Sequence, residues 1–277
     1  MASWRPSGTR RIINGKEVAL GEYLSRLPAF SWSTRDDPLL DGDPASRRRL
    51  LDQGIVSKKP LEVEVLARYR RVLMAKRRLL AEGGELGPND TIAAWNQLLA
   101  EVGCELIRLR SAYASELQSA FEETLAENCI ELQPVDFRYR PNPAAGAESV
   151  ADFLEALERE RGRELRRKRS LVGPHRDSLE IRWGMSDIGR SASAGERKLF
   201  GLVLTAARRR VLLAAGREPI ILLDDFDATL DGPHLEAAWR LFEGMPQVIA
   251  SSADPGTGRR FSGVTCWRLR GHRIEPL

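Results

Sequence analysis

Residues 219–225 read PIILLDD. Ile220, Ile221, Leu222 and Leu223 form an unbroken apolar run that ends abruptly in two carboxylates. Such a run reads as a short strand buried on both faces, the habit of a parallel sheet, because a half-solvated strand alternates apolar and polar residues. The run therefore predicts an α/β layer. In an open α/β sheet, ligands bind beyond the carboxyl ends of the strands, and Asp224 and Asp225 lie there.

The rest of the chain supplies strands and helices to match. In RRIINGKEV, Asn14-Gly15 sits between two β-prone runs and predicts a tight hairpin, since both residues tolerate positive φ. A short helix is expected over 21–27, a buried strand over 29–33, and a helix from Pro44 carrying Arg47, Arg48 and Arg49. From 61 to about 127 the pattern is helical. Leu66, Tyr69, Leu73 and Leu80 mark one helix face. After GGELGPND, Ile92, Trp95, Leu99, Val102, Leu106, Leu109, Tyr113, Leu117 and Phe121 mark a second, with Asn89 or Asp90 as its cap. This is a helical hairpin or small bundle, with Trp95 and Tyr113 read as core. Beyond it come a strand within 130–141, a charged helix over 148–168, a strand at 170–173, the loop GPHRD and a strand SLEIRW. A helix over 195–214, the 220–223 strand, a helix over about 233–243, a strand at QVIAS and a terminal hairpin follow. Strands alternating with helices predict a largely parallel sheet.

Composition excludes several classes. The 277 residues carry 43 Lys+Arg against 39 Asp+Glu, a mild excess that by itself says little of a nucleic-acid partner. Cys104, Cys129 and Cys266 are widely spaced, which argues against a disulfide framework or a zinc site and fits a reducing compartment. No apolar stretch nears the ~18 residues of a bilayer span, and the first residues lack the apolar core of a signal peptide. The expectation is a cytoplasmic protein with no membrane partner.

Three motifs carry chemistry. Asp224-Asp225 after the apolar run has Walker B form: Asp224 would hold Mg²⁺ and Asp225 would polarise an attacking water. An acidic loop after a core strand is the plainer alternative. ATLD (228–231) follows as a D-loop, with Asp231 near a subunit interface; a turn anchored by Leu230 is the alternative. ASAGERKLF (192–200) puts Ser193 and Gly195 ahead of a helix, where a hydroxyl and bare N–H groups meet the positive end of the helix dipole and attract phosphate. Plain N-capping, with Ser193 and Glu196 as a capping box, is the alternative, and taken alone this stretch favours it. The order signature, helix, strand, Asp-Asp and D-loop favours the nucleotide reading. GPHRD (173–177) contains HRD, but Arg182 stands where a kinase loop needs Asn. His175 and Arg176 are phosphate contacts or parts of a structural turn.

LVGPHRDSL, ASAGERK and IILLDDFDATLD together resemble the C-terminal lobe of the RecF family, DNA replication and repair ATPases related to the SMC and Rad50 heads. Upstream, NGKEV, FSWSTRDDPLLDGDPASRRRLLD and ARYRRVLMAKRRLL also resemble that family, so the likeness runs from about residue 10 to 275. It implies a P-loop NTPase of ABC type with an inserted helical arm, divided as 1–58 (part of the first ATPase lobe), 59–128 (arm) and 129–277 (C-terminal lobe). It implies ATP and Mg²⁺, ATP-dependent dimers, binding to single-stranded or gapped DNA in recombinational repair and the SOS response, and RecO- and RecR-type mediators as partners. By motif, Asp36 falls in a loop near the nucleotide. Arg47, Arg48, Arg49, Arg70, Arg71 and Lys76 are candidate DNA contacts.

Glu196 stands where Gln is usual, Thr34 where Pro is usual, and Ser251-Ser252 where ABC proteins carry a switch His. The largest departure is the phosphate loop. No GxxxxGK[ST] occurs; Gly8 to Gly15-Lys16 has the wrong spacing, Glu17 in place of Ser/Thr, and a hairpin context. The chain thus resembles a family member incomplete at its N-terminus, with apolar sheet surface exposed and Asp224 and Asp225 lacking a cradled nucleotide in cis. The signature would then act in trans, completing a partner's ATP site. The alternative is a non-catalytic DNA- or protein-binding remnant. A fragment of another SMC-like head is disfavoured by GPHRD and RRRLLD.

Overall fold

The computed structural model describes residues 2–5, 8–33, 37–82, 91–143 and 149–277. Its N-terminal strands β1 (Ala2–Arg5), β2 (Gly8–Ile13) and β3 (Lys16–Glu17) form an antiparallel sheet. Asn14 and Gly15 turn β2 into β3 with φ of 48° and 79°, as a two-residue hairpin requires. Helix α1 (Leu20–Arg26) leads to β4 (Ala29–Trp32), and α2 (Asp37–Leu40) to α3 (Pro44–Lys58). Asp43 caps α3 by accepting from the Ala45 and Ser46 N–H groups.

Two long helices follow, α4 (Val63–Ala81) and α5 (Thr91–Glu127). The capping candidates Asn89 and Asp90 lie outside the described residues. The 37 residues of α5 span about 55 Å and join two apolar clusters. Its first half packs with Leu66, Tyr69 and Leu73 of α4 and with Phe153 and Leu157 of α6 (Val150–Arg167). Its second half, including Tyr113, Leu117 and Phe121, enters the main core.

The parallel sheet has the order β4–β8–β9, with β8 (Ile220–Leu223) between β4 and β9 (Val248–Ala250). Helix α8 (Ala194–Ala214) covers one face. A Cβ on Gly201 would lie 1.9 Å from the Trp32 ring, so only glycine lets α8 seat there. Ile221 and Leu223 are buried on this side. Leu222 and Ile249 point the other way and are 38% and 55% exposed. The expected burial on both faces is thus corrected: among the described residues one face of β8 remains open. A separate antiparallel sheet holds β5 (Val135–Arg140), β6 (Ser178–Trp183) and β7 (Ser186–Asp187). Helices α7 (Ile188–Ser191) and α9 (Gly232–Arg240) and the terminal hairpin β10 (Trp267–Arg270) and β11 (Arg273–Pro276) complete the chain. The largely parallel sheet expected from the sequence is one of several. No helix among the described residues is long and apolar enough to cross a membrane.

The strand expected at 170–173 does not form. Its polar groups are taken by side chains: Glu164 Oε1 accepts from the Leu171 N–H at 2.7 Å, and Asn142 Oδ1 from the Gly173 N–H at 2.9 Å. Pro174–Arg176 is a 3₁₀ turn within a buried polar clasp. Arg110 of α5 donates to Asp52 Oδ1 at 2.9 Å, to Asp177 Oδ2 at 2.9 Å and to the Pro174 carbonyl at 2.7 Å. Asp177 also accepts from the Tyr139 hydroxyl and the Asn142 N–H. Burial pushes the Asp177 carboxyl upward, with Arg110 opposing. Tyr69 Oη lies 2.7 Å from His175 Nδ1. GPHRD is therefore a structural turn that ties α3, α4, α5 and β5 together.

Two outcomes follow from the clasp. Arg110→Met leaves the Asp177 carboxylate buried without its cation and is expected to lower unfolding free energy by about 3–5 kcal/mol in urea melts. Burial, ahead of smaller influences, holds the His175 imidazole down to about 3. The unfolded chain therefore takes up this proton first as pH drops below about 6.5. Its contribution is complete above that value and falls away toward pH 3, about 2 kcal/mol being lost by pH 5. His175→Gln should remove that part of the pH dependence; an unchanged slope between pH 7 and 5 would contradict it.

Candidate nucleotide and nucleic-acid sites

Asp224 and Asp225 sit at the carboxyl end of β8, both exposed. Backbone pairing with both neighbours aims them: the Asp224 N–H donates to the Trp32 carbonyl at 2.9 Å, and the Phe226 N–H to the Ser251 carbonyl at 2.8 Å. Asp225 adopts φ of 49°. The Ser251 hydroxyl donates to Asp224 Oδ1 at 2.7 Å and accepts from the Asp225 N–H at 2.9 Å. Ser251 thus holds both residues, a role the sequence did not reveal; its only signal is its place just after β9. Burial raises the Asp227 carboxyl, but hydroxyls of Ser252 and Thr257 outweigh this and hold it below the ordinary value.

Ser193 caps α8 in a full capping box. Its hydroxyl accepts from the Glu196 N–H at 3.3 Å, and Glu196 Oε2 accepts from the Ser193 N–H at 2.8 Å. Both readings of this turn survive at the atomic level. The box occupies the Glu196 N–H, while those of Ala194 and Gly195, nearer the tip, have no partner among the described residues. A Cβ on Gly195 would come 3.2 Å from the Thr229 carbonyl, so the signature turn lies directly against the D-loop. Ser193, Gly195, Thr229, Asp231 and His234 line one cavity of about 640 Å³. Asp231 caps α9, accepting from the His234 N–H at 3.0 Å and facing His234 Nδ1 at 2.6 Å. His234 was not apparent from the sequence.

The aspartate pair is tied to the signature helix by Lys198, itself buried, whose Nζ donates to the Asp224 carbonyl at 3.1 Å and the Asp225 carbonyl at 2.8 Å. The structure thus brings Ser193, Gly195 and Asp231 to one cavity and Asp224 and Asp225 to the adjoining strand end. The donor set suits part of a nucleotide site. Bare N–H groups at a helix N-terminus fit a phosphate, and Asp224, with one oxygen engaged by Ser251, fits a hydrated Mg²⁺. Asp36 lies outside the described residues.

The six basic candidates separate. Arg47 is 5% exposed and is no surface contact: it donates to Asp187 at 2.9 and 3.0 Å and to the Leu39 and Leu179 carbonyls. Lys76 is fully buried, 2.7 Å from the equally buried Glu164. Burial pushes its ammonium below the ordinary value, with Glu164 opposing. Both are corrected from DNA contacts to internal ion pairs, whose carboxylate partners lie far along the chain. Arg48, Arg49 and Arg70 line a common cavity, and Arg71 is exposed outside it.

No family model matches the chain. It is 30% identical over 254 residues to the DNA replication and repair protein RecF of Streptomyces avermitilis, covering 88% of this chain and 68% of that protein. The chain belongs to the RecF family. RecF of Chlorobium phaeobacteroides is 28% identical over 274 residues, covering 96% of this chain and 73% of the relative. A solved structure of the recombination mediator protein RecF with ATP, in the RecFOR pathway, superposes with a TM-score of 0.82 at 22% identity. It covers 98% of this chain and 73% of that one, a likeness of fold. The mixed α/β head of RecF is therefore the architecture here.

Lys198→Met removes a cation that binds both aspartate carbonyls and is expected to cost about 1–3 kcal/mol in urea denaturation. A loss under about 0.5 kcal/mol, the range of ordinary surface changes, would show that Lys198 does not anchor them.

Proposed function

We propose that this chain acts as a RecF-type DNA replication and repair protein, binding single-stranded or gapped DNA under ATP control in recombinational repair and the SOS response. It works in the cytoplasm with RecO- and RecR-type mediators. The observation that carries this reading is the contact of signature turn and D-loop, Gly195 against Thr229, around one cavity. Ser193 and the Ala194 and Gly195 N–H groups would hold the phosphates of a nucleotide presented by a second subunit. Asp231 lies at that same surface. Asp224 would hold Mg²⁺, which neutralises phosphate charge, and Asp225 would orient the attacking water. Ser251 and Lys198 fix both aspartates from behind.

A second reading is a DNA- or protein-binding chain with no ATP site of its own. One observation favours it: the 277 residues contain no GxxxxGK[ST], so they offer no backbone nest and lysine for the β- and γ-phosphates.

ATP turnover of an intact RecF-family protein decides between these readings. Under the second reading, adding this chain leaves it unchanged. Under the first, adding the chain to an intact RecF-family protein should change ATP turnover, and Ser193→Arg should abolish the change. An identical effect from wild type and Ser193→Arg would remove the signature from any role in trans.

A further inference from the structure

The sequence scattered basic candidates over two helices, and the fold gathers some of them around a recess that belongs to no nucleotide motif. A cavity of about 800 Å³ opens between α3, α4 and β4. Arg48 and Arg49 reach it from α3, and Arg70 and Arg77 from α4. Arg70 and Arg77 stand two helical turns apart on one face of α4, about 10 Å along the axis, with Leu73 between them. Arg110 and Arg208 also contribute to the wall, and Asp52 is its only carboxylate among the described residues. That carboxylate is already engaged by Arg110 at 2.8 Å.

The cavity is marked by the arginines that converge on it. On the same helix α4, two arginines turned away from it are neutralised, Arg68 by Glu105 at 2.5 Å and Arg78 by Glu82 at 2.9 Å, whereas Arg71, also off the cavity, has no ion pair among the described residues. Arg49, Arg70 and Arg77, which face it, have no ion pair among the described residues. Unpaired arginines that share one wall raise the local positive potential, which attracts a polyanion. The floor is apolar, formed by Phe30, Leu66 and Leu73. The recess has the size of a pocket for about one or two nucleotides and is too small to admit a duplex.

We infer that this cavity binds consecutive phosphates of a single nucleic-acid strand, with Arg49, Arg70 and Arg77 as the contacts and the apolar floor beneath a base. The inference rests on the DNA-binding reading above and gives it a place. It also adds Arg77 to the contacts and leaves Arg47, Arg71 and Lys76 out. The shared chemistry, a chain of phosphates, is also that of a free nucleoside triphosphate, so the test carries both.

The experiment measures binding of a fluorescent oligothymidylate to the full chain across a salt series. Arg70→Gln/Arg77→Gln is compared with Arg68→Gln/Arg71→Gln, the same charge change on the same helix but off the cavity. All these side chains are exposed, and thermal melts confirm that both variants fold. The expected result is about tenfold weaker binding by the cavity variant, and a salt slope smaller by about 1.4, as two lost single-strand phosphate contacts require. The control should stay within about twofold of wild type, the loss of two off-site charges. Equal losses in the two variants would overturn the site in favour of net charge alone. If ATP displaces the oligonucleotide, and the cavity variant weakens ATP while sparing the oligonucleotide's salt slope, the ligand is a free nucleotide and the strand assignment falls. No oligonucleotide binding by wild type would overturn the DNA-binding reading itself, whereas binding untouched by the cavity variant overturns only this inference.

Discussion

A buried ammonium against two backbone carbonyls connects the two halves of the candidate nucleotide site. Lys198 lies within 3.1 Å of the Asp224 carbonyl and 2.8 Å of the Asp225 carbonyl, so the helix that begins at the signature turn is bonded to the strand end that carries the aspartates. Strand β8 in turn is fixed by parallel pairing on both sides, and α8 reaches the sheet because Gly201 admits the Trp32 ring. Moving the turn relative to the aspartates would take the Lys198 ammonium from the Asp224 carbonyl and leave the Asp225 carbonyl with the Ala228 N–H alone. The buried ammonium would lose these bonds, a cost that holds the turn and the aspartates together.

The arginines divide by a similar rule. A buried cation must have a partner, and Arg47 and Arg110 meet carboxylates and carbonyls across the core. They fix the fold. Exposed cations need none, and Arg70 and Arg77 line a cavity without an ion pair among the described residues. GPHRD belongs to the first class. His175 contacts Tyr69, and Asp177 contacts Arg110 and Tyr139, so the turn serves packing.

Much of this was legible in the sequence because the signals are local. The Asn14-Gly15 turn, the Ser193–Glu196 capping box weighed as an alternative, and the 220–223 strand each depend on residues within a few positions, and each formed. What failed was non-local. Arg47 looked like a surface arginine because its partner Asp187 is 140 residues away. Lys76 hid in the same way behind Glu164. The strand at 170–173 was lost to side chains of Glu164 and Asn142, which no periodicity registers. Leu222 was read as covered on its face, yet burial depends on a neighbouring layer that the run itself cannot specify. Ser251 and His234 had no motif to announce them; only the fold sets them beside Asp224 and Asp231.

The central claim is that the signature turn of this RecF-family chain meets a nucleotide held by another subunit. Sedimentation of the fluorescently labelled chain with an unlabelled RecF-family protein that carries GxxxxGK[ST] tests it most directly. The account predicts a heavier species that forms with ATP and Mg²⁺, and that disappears when ATP is withheld or the chain carries Ser193→Arg. Sedimentation indifferent to ATP, or unaffected by that substitution, would contradict it.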